Sequence, residues 1–311
     1  MADTAPLSIV FSVNVGGLPG LGATVCSLVR NCSDPGALSI YVMCSNMPEY
    51  HLSNIRTLFS ELDYRGEYTF IRYDADKEFR GLPRLLGDLT PYGRLLIPEY
   101  IDASRVLYLD SDLVIDVDVL PLRDFDMEGH VIGAVLGGNV EYTNDLPYFL
   151  DRGFGRDMRY FNSGVLLIDI EAWKERDFSS VWREVVKDRP QTIPTVDQTI
   201  LNRVCGGDFR QLPREYNVPL PAQSTRSKHD RVVYHFIGAP KPWDFLGSII
   251  HVGYDIWKRY NPAFWRKRYH QMSFGRLTRA WNIRWNIGRA FQKAVRPRGG
   301  RPTKSGDRKV S

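Results

Sequence analysis

The sequence predicts an α/β protein built on a mainly parallel sheet. Over the first 120 residues, short β-rich apolar runs alternate with helix-like segments, the pattern of successive βαβ units. Hydrophobic residues make up 43% and charged residues 25% of the 311, an ordinary globular composition. That length suits one large α/β domain with an appendage, or two small domains.

The elements follow in order. Residues 7–13 read as a first strand and 23–30 as the helix after it. Residues 37–44 read as a second strand, 48–62 as an amphipathic helix and 68–73 as a third strand. A helix is expected over 94–100 and a buried strand over 105–108. Further on, 130–136 and 164–170 read as strands, and 178–187 and 198–204 as helices. A late strand spans 231–236 and runs into a turn-rich stretch at 238–243. No internal repeat is present, and beyond about Tyr260 the pattern is helical and rich in Trp and Arg. These readings divide the chain into a catalytic-sized body at 1–250, a basic helical extension at 251–295 and a disordered basic tail at 296–311.

Charge is unevenly spread. From Lys258 onward there are sixteen Lys/Arg against one acid, Asp307, while the preceding residues hold 25 basic and 35 acidic side chains. Such a split suggests that the C-terminal segment meets an anionic surface. The N-terminus carries Asp3 and lacks the basic stretch of a secretory signal. No apolar run approaches the ~20 residues that cross a bilayer. The four cysteines form no C-x-x-C pair, which argues for reduced thiols rather than a disulfide framework or zinc site. A cytoplasmic protein, peripheral at the inner face of a membrane, is the expectation.

Sheets of this kind bind ligands beyond the carboxyl ends of their strands, so residues just after strands carry the most information. In RVLYLDSDLVI, Asp110 and Asp112 follow an apolar strand. If that stretch is extended, the two face the same side roughly 6.5–7 Å apart. Two converging carboxylates favour a hard divalent cation, which also binds phosphate oxygens; the alternative is a solvated turn. The second stretch is VVYHFIGAPKPW. His235 offers a neutral imidazole, Gly238 allows close backbone approach, and Lys241 between two prolines offers an ammonium for phosphate. The alternative here is a histidine closing a strand before a Pro-rich turn.

Five segments in this order resemble the family 8 glycosyltransferases, in particular bacterial enzymes that add galactose or glucose to lipopolysaccharide cores. They are TPYGRLLIPEYI at 90–101, RVLYLDSDLVI at 105–115, YFNSGVLLIDIEAW at 160–173, VDQTILN at 196–202 and HFIGAPKPW at 235–243. The resemblance implies a nucleotide-sugar-binding domain of the type called GT-A. It implies that Asp110, Asp112 and His235 chelate Mn2+ (or Mg2+) under the UDP diphosphate, and that Gly238 and Lys241 contact that diphosphate. It further implies that Arg94 reaches the donor sugar, that Asn162 and Ser163 border it, and that Asp197 and Gln198 contact the sugar hydroxyls and the reacting face. Ser111 joins the donor-binding set. Blander readings exist: Asn162 as a strand-turn cap and Asp197 as the cap of a helix starting at Gln198. Two departures stand out. Asn14 occupies a position where the family usually has an acid that contacts uracil, and Gly137 and Gly138 stand where the galactosyltransferases place an acceptor-contacting Asp.

The function so implied is a retaining transfer of galactose or glucose from a UDP-hexose to a glycan or glycolipid acceptor such as a lipopolysaccharide core. A metal and Lys241 would stabilise the departing diphosphate. A double displacement needs a carboxylate nucleophile, for which the motif offers Gln198 with Asp197 beside it; a front-face reaction fits equally. Other classes compatible with the core are a nucleotide-sugar hydrolase, a nucleotidyltransferase and a silent sugar-nucleotide-binding protein. Residues 274–295 are expected to form one helix. Its broad apolar side would carry Phe274, Leu277, Trp281, Trp285, Ile287, Phe291 and Val295, with Arg279, Arg289, Lys293 and Arg296 mostly opposite, although Arg276 and Arg284 blur the division. That pattern suits lying on an anionic membrane; the alternative is a helix packed on the body. No nucleic-acid-binding module accompanies the charge, so nucleic acid is not an expected partner.

Overall fold

A computed structural model describes residues 5–223, 231–271 and 274–295. The tail expected to be disordered, with Arg296, lies outside the described residues. The first four strands of the main sheet are β1 (Leu7–Val13), β2 (Leu38–Ser45), β3 (Glu67–Tyr73) and β4 (Arg105–Leu109), and all but β3 arise from near-continuous apolar runs. Strands buried on both faces read this way because helices cover both sides of a parallel sheet. β3 lies at the sheet edge and is the exception, with most of its residues exposed or half-buried. Past a short β5 (Leu113–Ile115) come β6 (Ile132–Asn139), β7 (Arg159–Asp169) and the two-residue β8 (Arg210–Gln211).

The seven-stranded sheet has the order β3-β2-β1-β4-β7-β6-β8. Neighbours are parallel throughout except β7, which runs antiparallel to both β4 and β6. The chain leaves β1 toward β2 on one side and returns through β4 on the other. The carboxyl ends of β1 and β4 thus form the switch point where such sheets take ligands.

A second, three-stranded sheet joins β5, β9 (Val218–Pro219) and β10 (Val233–His235), with β10 in the middle. β10 is antiparallel to β5, with His235 opposite Leu113. This register brings a residue more than a hundred positions away beside Asp112.

Helices pack against both faces. The first half supplies α1 (Leu18–Asn31), α2 (Glu49–Glu61), α3 (Ala75–Glu78), α4 (Ile97–Tyr100) and α5 (Leu146–Leu150). Then come α6 (Ile170–Glu175), α7 (Phe178–Lys187) and α8 (Val196–Cys205). α1 starts five residues before its expected start. The LPGLGA stretch looks loop-like because glycine lowers helix propensity, but the glycines are there for packing. A Cβ on Gly22 would lie 2.2 Å from the Trp265 ring. The helix expected over 94–100 is instead a 3-10 turn, Thr90–Leu96, running into α4, each with a proline in its first turn.

The C-terminal elements are α9 (Gly247–Ile250), α10 (Tyr254–Tyr260), α11 (Ala263–Tyr269), α12 (Phe274–Asn282) and α13 (Arg284–Val295). Sequence assigned residues from 251 onward to an extension, yet α10 and α11 pack on α1. Trp257 and Trp265 are both fully buried. Their indole N–H groups donate to Pro19 O (3.2 Å) and Leu18 O (2.8 Å). The single helix expected over 274–295 is broken at Ile283. Ile283, Ile287 and Ala290 are buried against Ile250, whereas Leu277, Trp281, Trp285 and Phe291 remain exposed.

Because Trp265 fills the groove that Gly22 opens, Trp265→Ala is expected to destabilise the protein by about 3–5 kcal/mol. This would be read as a lower urea midpoint at unchanged slope. A loss under ~1 kcal/mol would mean that α11 lies on the body without being part of its core.

Candidate active site

The site is built at the end of β4. Asp110 and Asp112 do not lie in an extended stretch, as the spacing argument supposed. They sit in the tight turn between β4 and β5. The turn is pinned from both sides: Asp110 N–H donates to Gly164 O (2.8 Å), and Phe236 N–H donates to Asp112 O (3.1 Å). Ser111 faces α1, where Thr24 Oγ1 donates to its carbonyl (3.0 Å) and a Cβ on Gly17 would come within 2.8 Å of its Oγ.

The two carboxylates and His235 converge. One ligand atom from each lies within 4.8 Å of the others. Each carboxylate divides its oxygens in the same way. Asp110 Oδ1 accepts from Arg94 (2.8 Å) and from Tyr108 OH (2.7 Å), leaving Oδ2 facing His235 Nε2 at 3.7 Å. Asp112 Oδ2 accepts from Lys241 Nζ at 2.5 Å, leaving Oδ1 at 3.3 Å from the same Nε2. Oδ1 is buried and accepts no hydrogen bond among the described residues. A buried, unshared carboxylate oxygen is costly unless a cation takes it. With two hard oxygens and one imidazole nitrogen aimed at one point, the donor set fits a divalent ion. Burial would push the Asp112 carboxyl up, but the adjacent Lys241 ammonium holds it well below the usual carboxylate range.

Arg94 is buried under this cluster. It stacks 4.3 Å over the Tyr108 ring and donates to Pro91 O (2.9 Å) and to Ser163 O. Its Nε lies 3.1 Å from Asp197 Oδ2. Asp197 does not cap its helix. Thr195 is the N-cap residue, and Asp197 lies inside the first turn of α8 with its carboxylate taken up by Arg94 and by Ser163 Oγ (2.8 Å). Burial raises that carboxyl to about 6 against the pull of Arg94.

Gln198 is equally engaged. Its Oε1 accepts from Asn162 Nδ2 (2.8 Å) and Ser163 N (3.2 Å), and its Nε2 donates to Tyr160 OH (3.1 Å). Asn162 therefore belongs to a side-chain network and is not a simple strand cap. Tyr160 passes the network on to Asp145, which also accepts from Thr195 and Thr199. Lys241 stands in a loop tied to α12, because Asp244 takes both the Lys241 backbone N–H (2.7 Å) and the Arg279 guanidinium (2.5 Å). Gly238 adopts φ +70° with open space around its Cβ position, so backbone conformation rather than crowding selects glycine there.

Asn14 is set apart from the cluster. Its Oδ1 accepts from Gly16 N and Gly17 N, capping the turn after β1. It lines an open cleft of about 250 Å³ with Ser45, Asn46, Asp76, Arg84, Asp88 and Thr90, slightly smaller than the usual small-ligand site. The cleft follows the ends of β1, β2 and β3 and reaches the 3-10 turn that carries Arg94. Sequence reasoning missed Tyr108, Asp145, Asn202 and Asn217: Tyr108 and Asn202 lie inside recognised segments but were given no role, and Asp145 and Asn217 lie outside all five. Asn202 ties α8 to β7 through Phe161, accepting its N–H and donating to its carbonyl, both at 2.9 Å.

At Gly164 the backbone passes close to the cluster. A Cβ there would lie 2.2 Å from His235 Cε1 and 2.7 Å from Asp110 Oδ2. Gly164→Ala is therefore expected to displace the imidazole and to cost about 1–3 kcal/mol of stability by overpacking. Denaturant unfolding together with a crystal structure of the variant would check this. An unmoved His235 ring at wild-type stability would contradict it.

A family model described as "Glycosyl transferase family 8" matches residues 8–247. Glycosyltransferase GlyF of Streptococcus pneumoniae is 28% identical over 190 residues, 58% of this chain and 44% of that protein, so the chain spans less than half of its length. The lipopolysaccharide 1,2-glucosyltransferase of Escherichia coli K12 is 24% identical over 257 residues, covering 76% of this chain and 72% of the relative. Among solved structures, galactosyltransferase LgtC in complex with donor and acceptor sugar analogues superposes with a TM-score of 0.69 at 26% identity, over 84% of this chain and 99% of LgtC. The shared architecture is the GT-A type, with its mostly parallel central sheet. Since the matched segment runs from β1 through both halves of the Asp–Asp–His cluster to the loop that carries Lys241, the chain belongs to glycosyl transferase family 8.

Proposed function

We propose that this protein is a retaining hexosyltransferase. It moves galactose or glucose from a UDP-sugar to a glycan or glycolipid acceptor, with Asp110, Asp112 and His235 holding Mn2+ or Mg2+. One observation carries the reading: two distant chain segments bring three ligand atoms together at the switch point of the sheet, and one of them is a buried carboxylate oxygen that accepts no hydrogen bond among the described residues. The complex of LgtC with donor and acceptor sugar analogues, and the name of the E. coli relative, support a sugar donor and a lipopolysaccharide-type acceptor. The polar cleft beside Asn14 suits the nucleoside. Asn14 uses its amide oxygen as a cap and has its amide N–H groups left to offer a base.

A divalent ion held here would neutralise charge on the diphosphate as it leaves. Lys241, 2.5 Å from Asp112, would supply a second positive charge to the same oxygens, with Gly238 shaping the loop around them. Arg94, expected to reach the donor sugar, uses its donors on Asp110, Asp197, Pro91 O and Ser163 O. In this reading it orients Asp110 from below. Asp197 is fully buried and bridged to Arg94, which favours a holding role over attack on the anomeric carbon. Gln198, with Asn162 and Ser163 around it, would border the sugar. With no free carboxylate beside Gln198, a front-face transfer in which the leaving diphosphate takes the acceptor proton is the better fit.

The test is UDP release from UDP-hexoses with Mn2+, with and without a lipid-linked glycan. Acceptor-dependent release supports transfer, and acceptor-independent release supports a hydrolase. Asp110→Ala or Asp112→Ala is expected to lower turnover at least ~100-fold with the fold intact, as expected when transition-state charge stabilisation is removed. Full wild-type turnover in excess EDTA would overturn the metal reading.

We further propose that the exposed face of α12 and α13 meets an anionic membrane. Trp281 and Trp285 are 67% and 73% exposed, and the Arg284 guanidinium lies over both rings at 4.5 and 5.5 Å. No helix among the described residues is long and apolar enough to cross a membrane, so the attachment proposed is peripheral. Interfacial aromatics flanked by basic residues suit it. Replacing both Trp281 and Trp285 by Ala is expected to reduce co-sedimentation with phosphatidylglycerol-containing vesicles. Sedimentation equal to wild type would exclude this face as the contact.

A further inference from the structure

Asn217 lies on no motif, just before β9, and is 3% exposed. Its surroundings fix the protonation pattern of His235 by elimination. A backbone N–H can only donate, and Gly164 N–H points at one atom of the Asn162 amide at 3.1 Å, so that atom is Oδ1. The other end of Asn162 is then its NH2 group, which donates to Gln198 Oε1; that oxygen is independently fixed by the Ser163 N–H. Asn217 approaches Asn162 Oδ1 at 3.0 Å and must meet it with its own NH2 group. Its remaining atom, Oδ1, therefore faces His235 Nδ1, also at 3.0 Å. A carbonyl oxygen only accepts, so Nδ1 carries the hydrogen. The neutral ring then has a bare Nε2, the nitrogen that faces Asp110 and Asp112.

We infer that Asn217 is a positioning residue, which holds the His235 imidazole as its Nδ1–H tautomer and aims the Nε2 lone pair at the carboxylate pair. An outer hydrogen bond of this kind sets both the tautomer and the ring orientation of a metal-binding histidine. The same string of amides runs on to Gln198, so the ligand on β10 and the sugar-side residues on β7 and α8 are oriented from two backbone N–H groups of one strand. The assignment of tautomer stands on hydrogen-bond geometry alone. Its consequence for cation binding rests on the metal reading given above.

The test uses the full chain and separates the two. In the metal-free wild type, at a pH where the ring is neutral, long-range 1H–15N correlation spectra of the histidine rings report the tautomer, with the His235 signals assigned through His235→Gln. The Nδ1–H form is expected, and an Nε2–H form would overturn the inference without any variant at position 217. Mn2+ affinity is then measured from the free-ion EPR signal in the presence of UDP. Asn217→Leu, which removes the acceptor, is expected to weaken it by about 10–100-fold. Asn217→Asp, which keeps an acceptor facing Nδ1 but loses the donor to Asn162 Oδ1, is expected to weaken it clearly less than Asn217→Leu does. Unchanged affinity in Asn217→Leu, or an equal loss in both variants, would overturn the positioning role. If the wild type shows the Nδ1–H form but binds no Mn2+, the metal reading fails while the tautomer assignment stands.

Discussion

Two carboxylates held in one turn repel each other, and much of the buried polar structure around Asp110 and Asp112 offsets that repulsion. At an effective dielectric of 20, like charges 4 Å apart cost about 4 kcal/mol, a large fraction of a typical domain's stability. Arg94, from the 3-10 turn before α4, engages Asp110, and Lys241, from the loop after β10, engages Asp112. Each neutralises one acid. What they leave free is one oxygen on each acid, directed at the same nitrogen of His235 on β10. The arrangement stabilises the turn while keeping its inward side electron-rich, which is the condition for binding a cation.

That constraint explains why the backbone is so close here. β7 must pass within contact of the His235 ring and of Asp110, which only a residue without a Cβ allows at Gly164. The antiparallel pairing of β4 with β7 sets this approach, since Leu109 is opposite Val165 and the ladder continues from Asp110 N–H to Gly164 O. The same crowding recurs on the other side of the turn, where α1 lies against Ser111 and the buried Trp257 and Trp265 lie against α1. The C-terminal helices are thus mechanically part of the site's support. Asp244 makes the link explicit: its Oδ2 accepts from the Lys241 backbone N–H, and Arg279 of α12 donates to both of its oxygens.

Errors in the sequence reading share a cause. The expected helix starts only at Ala23, because the glycines of LPGLG lower local propensity, whereas Gly20 and Gly22 answer to ring contacts with Trp243 and Trp265, more than two hundred residues away. Asp197 was open to being a helix cap because residue type and position fit one; its burial and its pairing with Arg94 are long-range facts. Asn217 and Tyr108 were missed because an amide beside a short strand and a tyrosine inside an apolar run are common, and only their neighbours single them out.

The sequence by itself determined the α/β class, the order and approximate extent of the central strands, and which acids and which histidine to watch. Those follow from local signals: apolar runs long enough for a buried strand, polar residues directly after them, and five segments in family order. Only the tertiary structure decided how these residues meet. The antiparallel register of β10 on β5 puts His235 beside Asp112, the turn rather than an extended strand aims the two carboxylates inward, and the pairing of Arg94 with Asp110 and Asp197 fixes which oxygens remain available. None of this is periodic along the chain, because hydrogen-bond register and side-chain pairing between distant segments are set by the packing of the whole sheet and not by any window of residues.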